Sequence, residues 1–415
     1  MAILESGRRN IVILGAGFGG ITALLKLYRS LSRRGLLGYY QPVIVNRTAH
    51  HLYTPALYEI AAIPRGEADA VRLKSSLCIP LDDILGRLPG ARLIGDTASR
   101  VDPERHVITF ESGSQLNFEY LIIALGAETN FFGIPGMAEQ ALPLKTFEDA
   151  VRLRNRIAGL AATGETLRII IGGGGATGVE LSAELVNFLC YLKKRAAGKT
   201  CQGEITLLEG APEILPGFGA AIIHRAKRRL AALGVRVVPA ARIQEVWPSE
   251  VSCNGRTLPY HILVWAGGVR PAAVLKNFGL PLDERGGILV NEFLEARPRI
   301  YAIGDNASLT NPLTGRPLPG NVPVAEAEAR LAARNIVAEL TKRDRRPFRP
   351  LAQYPFILAV GGKYAVTDLV IIKFSGFLGW ALKQLVELRY LLFILPWPKA
   401  VPTWVRTIRY SLSND

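Results

Sequence analysis

Two glycine-rich segments have the residue types and spacing that bind a dinucleotide. They are Gly15-Ala16-Gly17-Phe18-Gly19-Gly20 and Gly173-Gly174-Gly175-Ala176-Thr177-Gly178. In a G-x-G-x-x-G loop the first glycine permits a tight turn, the second lets the backbone approach a pyrophosphate, and the third lets helix and strand pack closely. Free N–H groups at the start of the following helix then face the anion. Two such loops in one chain predict a flavin and a nicotinamide cofactor bound face to face.

The flanking elements must position these loops. Around the first loop we predict the strand Asn10–Leu14, a helix from Ile21 to about Leu31, and the strand Pro42–Val45. Around the second loop the matching elements are Leu167–Ile171, Val179 to about Lys194, and Glu204–Glu209. Strand, loop, helix and strand is the order that the motif requires, so a merely flexible glycine turn is the weaker alternative for either loop.

A polar residue follows the second strand of each unit. Glu209 is placed to accept from a ribose 2′-OH, and its charge would repel a 2′-phosphate, which favours NADH over NADPH. Asn46 takes the matching position in the first unit, and Arg47 beside it either reaches a phosphate or is solvated. Later in the chain, Gly304 lets backbone approach a ligand and Asp305 can accept from a polyol hydroxyl, although a Gly-Asp turn is common.

Composition limits the class of protein. The chain has 415 residues, 49% of them hydrophobic, and a net charge of +15 from 50 Lys+Arg and 35 Asp+Glu. This excludes a disordered or collagen-like chain and predicts two or three domains. Four scattered cysteines without a C-x-x-C pair suit a reducing compartment, with Cys78 and Cys190 as small buried hydrophobes. No secretory signal and no spanning segment are recognisable.

The C-terminal tail offers a location for part of the positive charge. Apolar and aromatic residues dominate Phe374–Ile394, with Lys383 and Glu387 four residues apart, and Lys399–Tyr410 forms a second piece. Between residues 369 and 411 lie six Lys/Arg (373, 383, 389, 399, 406, 409) and one acid. This pattern predicts a pair of interfacial helices on anionic headgroups. A helix packed on the core or in a dimer interface is the alternative.

Longer segments resemble one family. The chain is similar to two-dinucleotide-binding-domain flavoproteins and, among them, to the type II NADH:quinone oxidoreductases, the single-chain non-pumping NADH dehydrogenases. The resemblance spans roughly residues 8 to 410 and is carried by Leu125–Gly136, Leu142–Ala150, Gly174–Leu181 and Val264–Arg270. Ala176 stands where the family usually has proline.

The chain departs from the family at the helix between flavin and quinone. The family's Ala-Gln-x-Ala-x-Gln-Gln pattern is replaced here by Val322–Arg330, which lacks the glutamines and looks closer to the matching helix of sulfide:quinone reductases. Glu326 or Glu328 either replaces a lost polar contact or is a solvated helix carboxylate.

The resemblance implies an α/β fold with two Rossmann-like, glutathione-reductase-like domains and a C-terminal amphipathic, membrane-anchoring helical region. It divides the chain into 1–140 and 269–345 for FAD, 141–268 for NADH, and 346–415 for membrane association. It implies electron transfer from NADH through FAD to a membrane quinone without ion pumping. The expected protein is a homodimer, peripheral on the cytoplasmic side of the cell membrane, without a nucleic-acid partner.

The resemblance also assigns site residues. Glu180 is expected beside nicotinamide and flavin, for orientation or proton handling, although it could simply complement the helix dipole. The expected FAD residues are Gly15, Gly17, Phe18, Gly19, Gly20, Asn46, Arg47, Thr54, Pro55, Ala124, Leu125, Gly126, Gly304, Asp305, Val324 and Ala325. The expected NADH residues are Gly173, Gly174, Gly175, Ala176, Thr177, Gly178, Glu209, Ala266, Gly267 and Gly268. Pro323, Ala327 and Glu328 are expected at the quinone, and no metal is expected.

Two rival functions stay open. One is a sulfide- or ferredoxin-linked reductase of the same superfamily, against which the cysteine pattern argues. The other is a basic nucleic-acid-binding protein that retains a redox-sensing nucleotide fold, which would need a basic face with stacking aromatics.

Overall fold

The computed structural model describes residues 7–64, 70–162, 165–195 and 203–413. Its α-helices in chain order are α1 Phe18–Ser32, α2 Leu57–Ala61, α3 Ala70–Leu77, α4 Leu81–Leu85, α5 Met137–Gln140, α6 Phe147–Ala161, α7 Ala176–Arg195, α8 Ala220–Ala232, α9 Val322–Leu340, α10 Phe377–Ile394 and α11 Trp397–Ser413. Short 3-10 turns occur at Leu36–Gly38, Thr54–Ala56, Ala273–Asn277 and Gly304–Asn306.

The first sheet surrounds the strand that leads into the first glycine loop. Its strands run from edge to edge in the order Glu295–Arg297, Ile300–Ala302, Tyr120–Ile123, Arg9–Leu14, Tyr40–Val45 and Arg92–Ile94. All neighbouring strands are parallel except Glu295–Arg297 and Ile300–Ala302, which pair antiparallel at one edge. The residues Ile11–Leu14 are fully buried, as expected for a parallel strand covered on both faces. The strand order reverses at Arg9–Leu14, where such sheets bind ligands.

The second sheet repeats this arrangement. Its five parallel strands lie in the order Leu142–Pro143, Ile262–Trp265, Leu167–Gly172, Gly203–Leu208 and Arg236–Val238, and the order reverses at Leu167–Gly172. Both predicted strand–loop–helix–strand units are therefore present. The helices begin three residues earlier than predicted, at Phe18 and Ala176, because small residues form their first turns and the apolar pattern starts only afterwards. The domain boundaries at 140, 268 and 345 stay a prediction.

Smaller antiparallel sheets complete the described chain. They pair Ala98–Asp102, Val107–Phe110 and Gln115–Asn117; Ile243–Val246, Glu250–Cys253 and Arg256–Pro259; and Phe356–Ala359, Ala365–Asp368 and Lys373–Gly376. Two-stranded pairs join Ala127–Thr129 to Val269–Pro271 and His50–Leu52 to Cys78–Pro80, and a parallel pair joins Ile288–Leu289 to Ala307–Ser308.

The tail differs from its prediction in two ways. Its first helix begins at Phe377 rather than Phe374, because Lys373–Gly376 pairs as a strand with Ala365–Asp368. Lys383, counted among the cations of the predicted interfacial helices, and Glu387 point inward, and Glu387 is only 3% exposed. Nowhere in the described chain is a helix both long and apolar enough to cross a bilayer.

One hydrophobic core runs through both nucleotide units and the tail. It includes Leu24 of α1, Leu185 of α7, Ala329 of α9 and Leu391 of α10. Cys78 also lies in this core as a buried free thiol. The prediction for Cys190 is wrong, since this residue is half-buried and disulfide-bonded.

Candidate functional site

The first glycine loop has the backbone geometry of an anion cradle. Gly15 has a φ of +99°, and a Cβ on it would lie 2.3 Å from the carbonyl oxygen of Ala124. A Cβ on Gly20 would lie 1.8 Å from the carbonyl oxygen of Gly15, whereas one on Gly17 would meet nothing within 4 Å. Gly15 and Gly20 are therefore required by packing, and Gly17 borders open space where a pyrophosphate can approach.

The second loop reproduces this geometry position by position. Gly173 has a φ of +109°, and its Cβ would lie 2.4 Å from the Cα of Gly267. A Cβ on Gly178 would lie 1.9 Å from the carbonyl oxygen of Gly173, and one on Gly175 would meet nothing within 4 Å. The N–H of Ala266 donates to the carbonyl of Gly172 at 2.8 Å, which places the predicted Ala266–Gly268 segment beside this loop. In both loops the first and last glycines are required by packing and the middle glycine borders open space, so both loops fit a dinucleotide.

Asn46 and Glu209 occupy matching positions, as the sequence predicts. Asn46 Oδ1 accepts from the backbone N–H of Ala16 at 3.0 Å, inside the first loop. Glu209 Oε2 accepts from Gly174 at 2.6 Å, and its Oε1 accepts from Ala211 at 2.7 Å. Each polar side chain therefore holds its own loop in place. Arg47 is exposed, and its two alternatives stay open.

The Gly304-Asp305 element lies beside the residues that follow the strand Tyr120–Ile123 of the first sheet. Gly304 has a φ of +62°, and its N–H donates to Glu328 Oε2 at 2.6 Å. The buried Asn306 donates from Nδ2 to the carbonyl of Gly126 at 2.7 Å and accepts from the N–H of Gly126 at 3.2 Å. The predicted residues Ala124–Gly126 and Gly304-Asp305 therefore lie together. Asn306 joins them, although the sequence analysis did not select it.

The start of α9 lies against the same element. The Asn321 side chain caps the helix by accepting from the N–H of Val324 at 3.0 Å. A Cβ on Gly304 would come within 3.4 Å of the Ala325 Cβ, which brings the predicted Val324 and Ala325 to this site.

The solvated alternative for the two α9 glutamates is wrong. Glu326 and Glu328 are 5% and 2% exposed, and burial raises the pKa of Glu328 to about 8. Glu326 pairs with Arg330, while Glu328 holds Gly304. Of the other predicted quinone residues, Pro323 is exposed and Ala327 is half-buried. Because Glu328 is bound to Gly304, it does not share a face with those two, and its role at a quinone stays a prediction.

Glu180 belongs to a buried group of charges. Its Oε1 accepts from the N–H of Ala359 at 3.3 Å, and burial raises its pKa to about 8. Lys383 opposes this shift, while Glu59 and Glu184 reinforce it. Lys383 Nζ lies 2.5 Å from Glu59 Oε1, with side chains only 12% and 8% exposed. Glu180 is thus a half-buried carboxylate in the second turn of α7, which a first-turn dipole role does not explain.

One more carboxylate, Glu387, completes what we call the buried carboxylate cluster, which consists of Glu59, Glu180, Glu184 and Glu387 together with Lys383. Burial raises the pKa of Glu387 to about 7, against the effect of Lys383. Burial alone would lower the pKa of Lys383, but Glu59 and Glu387 raise it. The cluster joins α2, α7 and α10. Sequence reasoning missed it, although Glu59 and Lys383 each interrupt an apolar run, which was the available signal.

A buried aromatic group connects α10 to the first loop. His51 is fully buried, with Nδ1 2.8 Å from the carbonyl oxygen of Ala16 and Nε2 3.0 Å from the hydroxyl of Tyr390. Burial lowers the pKa of His51 to about 4, so the ring is neutral, donates from Nδ1 and accepts from Tyr390. The rings of Phe18 and Tyr390 are 4.7 Å apart. Thr54 and Pro55 follow in the next turn, with Thr54 exposed.

The chain is similar to several known proteins. It is 27% identical to the type II NADH:quinone oxidoreductase Ndh of Mycobacterium tuberculosis, over 93% of this chain and 85% of the relative. It is 28% identical to the demethylphylloquinone reductase NdbB of a Synechocystis species, over 99% and 96%. Among solved structures, NDH2 from Plasmodium falciparum in complex with NADH matches with a TM-score of 0.82 at 18% identity, over 97% of this chain and 98% of that one.

At that identity the solved structure establishes the fold alone, which is the predicted two-unit α/β fold with C-terminal helices. The family assignment rests on the match of a family model to residues 9–329, a range that includes both glycine loops, Glu180, Glu209 and the Gly304-Asp305 element. The chain belongs to the pyridine nucleotide-disulphide oxidoreductase family.

Proposed function

We propose that the protein oxidises NADH through a bound FAD and passes the electrons to a membrane quinone. The observation that carries this proposal is the buried carboxylate cluster, which joins the helix of the second loop to α10. The outer surface of α10 is apolar, so a lipid-soluble acceptor can reach the helix whose inner face carries Lys383. The names of the two curated relatives given above, both quinone reductases, support the same acceptor.

The chain supplies binding, orientation and protons. When bound, FAD accepts a hydride from the nicotinamide and passes electrons to the acceptor. The first loop would hold the FAD pyrophosphate, Asn46 would hold the loop and bond a ribose hydroxyl, and Asp305 would accept from the polyol. The second loop with Glu209 holds NADH. Reduction of a quinone consumes protons, and Glu180, with a pKa of about 8, can hold and release one near neutral pH.

The membrane surface is formed by the tail. Exposed large apolar side chains follow one another at Leu369, Val370, Ile371, Ile372, Phe377, Leu378, Leu385, Val386, Leu392, Trp397, Val401 and Val405. So many exposed apolar side chains in one segment of the chain are typical of membrane contact. The protein is peripheral on the cytoplasmic face of the cell membrane, and it functions as a homodimer without a nucleic-acid partner.

The tail carries less free positive charge than its sequence indicates. Lys373 lies 3.4 Å from Asp368 and Lys399 lies 2.6 Å from Asp83, while Lys383 is buried. Arg389, Arg406 and Arg409 are exposed. Apolar contact therefore contributes more to the attachment of the tail than the six counted cations suggest.

The described thiols argue against an acceptor that works through protein sulfur. Cys78 and Cys253 are buried, and burial raises the pKa of Cys78 to about 11 and that of Cys253 above its usual range. A thiol is reactive only as thiolate, so neither is poised for disulfide exchange.

Anaerobic flavin reduction tests the proposal. We expect NADH to bleach the flavin absorption of the purified protein, NADPH to do so far less, and a short-chain quinone to restore the colour. If NADH does not bleach the flavin, the proposal is wrong. If bleaching occurs without recovery by quinone, only the acceptor is wrong. Bleaching of the flavin by sulfide would favour the sulfide-linked relatives.

A further inference from the structure

Outside the tail, a group of cations lies on α1. Lys26, Arg29 and Arg33 are three and four residues apart, a spacing that places them on one side of the helix. Lys26 Nζ is 5.7 Å and Arg29 Cζ is 5.6 Å from the centre of the same ring, that of Phe393 near the end of α10. With Arg87 and Arg330, these residues form what we call the α1 cation patch.

The charges in this patch act on one another. Burial lowers the pKa of Arg29, and the positive charges of Arg87 and Arg33 lower it further. Burial lowers the pKa of Lys26 as well, reinforced by Arg29, Arg330 and Arg33. Among the described groups acting on Lys26, the acidic one is Glu326, which is already ion-paired with Arg330. The patch therefore has an excess of positive charge, which a bound anion would relieve.

The patch borders the apolar surface of the tail. Phe393, which both cations contact, is the chain neighbour of Leu392, which is 42% exposed, and Trp397 at the start of α11 is 73% exposed. Lys399 of α11 reaches Asp83 of α4, the helix that ends two residues before Arg87. Cations at the rim of an apolar membrane-facing surface lie at the depth of lipid headgroups.

We propose that the α1 cation patch binds the phosphate of an anionic phospholipid whose acyl chains lie along Leu392 and Trp397. This inference rests on the proposed membrane association and adds a headgroup site on the FAD-binding unit. A bilayer is favoured over a nucleic acid because the adjoining surface of the tail is dominated by apolar side chains, where a polyanion would need further cations.

Vesicle binding with matched charge variants tests the site. The patch variant is K26Q/R29Q/R33Q, and the control is R100Q/R228Q/R256Q, three exposed arginines on other elements. Both variants change the net charge from +15 to 15 − 3 = +12. Each is titrated with vesicles of phosphatidylcholine alone and with vesicles that contain about one third phosphatidylglycerol. NADH bleaching and turnover with a soluble quinone are measured in parallel.

We expect the patch variant to bind the anionic vesicles on the order of a hundredfold more weakly than the native protein. The control should lose far less, and binding to neutral vesicles should be unchanged in all three. Flavin bleaching and soluble-quinone turnover should be the same in all three, since neither variant touches the nucleotide loops or the buried carboxylate cluster.

Other results would overturn the inference in distinguishable ways. Equal losses in both variants would mean a diffuse charge effect instead of a site. Millimolar inorganic phosphate could stabilise the native protein but not the patch variant, while both bind vesicles equally well. That result would indicate that the patch binds a soluble anion. Loss of oligonucleotide binding alone would indicate a nucleic-acid surface. If even the native protein ignored both kinds of vesicle, the proposed membrane association itself would fail.

Discussion

Replacing Lys383 by methionine is expected to destabilise the protein strongly, because it removes the cation from the buried carboxylate cluster. The ammonium group lies 2.5 Å from Glu59, and both side chains are almost entirely buried. Removing one partner of a buried ion pair costs about 3–5 kcal/mol of unfolding free energy, since the other charge stays buried without compensation. We expect K383M to lose about this much at pH 8, as measured by urea denaturation in mild detergent.

The loss should depend on pH in a defined direction. The pKa values of Glu180 and Glu387, about 8 and about 7, are above the ordinary value of 4.5, so the folded protein binds these protons more tightly than the unfolded chain. The stability that these groups contribute therefore falls as the pH rises from about 4.5 to about 8. Without Lys383 their pKa values rise further, so the loss in K383M should be larger at pH 8 than at pH 5.5.

The tail contains a matched control. Lys399 lies 2.6 Å from Asp83, almost the same distance, but its side chain is 53% exposed. K399M should therefore cost less than about 1 kcal/mol. The double variant E59Q/K383M should recover part of the loss, because the most closely paired carboxylate is then neutral. Equal, pH-independent losses in K383M and K399M would refute the buried-charge argument.

Three further predictions concern the nucleotide loops and Glu180. Gly20→Ala should yield protein without bound flavin, judged by the absorption spectrum after purification, because its Cβ would lie 1.8 Å from a carbonyl oxygen; Gly159→Ala, in open space on α6, should retain flavin. Glu209→Gln should weaken NADH binding in titrations by about tenfold or more, because a charged acceptor of two backbone N–H groups is lost; unchanged affinity would argue against this loop contact. Glu180→Gln should remove a decline in quinone reduction above about pH 8, the range in which Glu180 loses its proton, whereas an unchanged pH–rate profile would exclude it as a proton donor.

Sequence reasoning found what local spacing encodes. The glycines at 15, 17 and 20 and at 173, 175 and 178 have the predicted geometry, and Asn46 and Glu209 occupy matching positions as predicted, because the strand–loop–helix–strand motif that requires them is a continuous piece of the sequence. Contacts between distant segments were not predictable in this way. Glu59 and Lys383 are 324 residues apart, and Tyr390 reaches His51 across 339.

The missed contacts share a physical cause. A Lys and a Glu four residues apart on a helix normally describe a solvated face, and only a partner supplied by a remote element turns them inward. Glu326 and Glu328 were misjudged for the same reason, since Gly304 and the neighbouring helices exclude water from them. Charge patterns therefore located the tail correctly as an apolar helical region, but they counted Lys383 among the cations at the headgroups although it pairs with Glu59 in the interior.

The hydrogen bonds of His51 have a practical consequence for anyone who wishes to handle this enzyme without detergent. Because its two ring nitrogens join the first glycine loop to Tyr390 of α10, the tail is an internal part of the flavin-binding unit. Cutting the chain before α10 would open the interior to water at His51, Glu59 and the core around Leu24, and the product would be an aggregating fragment. A detergent-free variant should instead keep all of α10 and α11 and carry polar substitutions at outward-facing positions such as Ile371, Leu378 and Trp397.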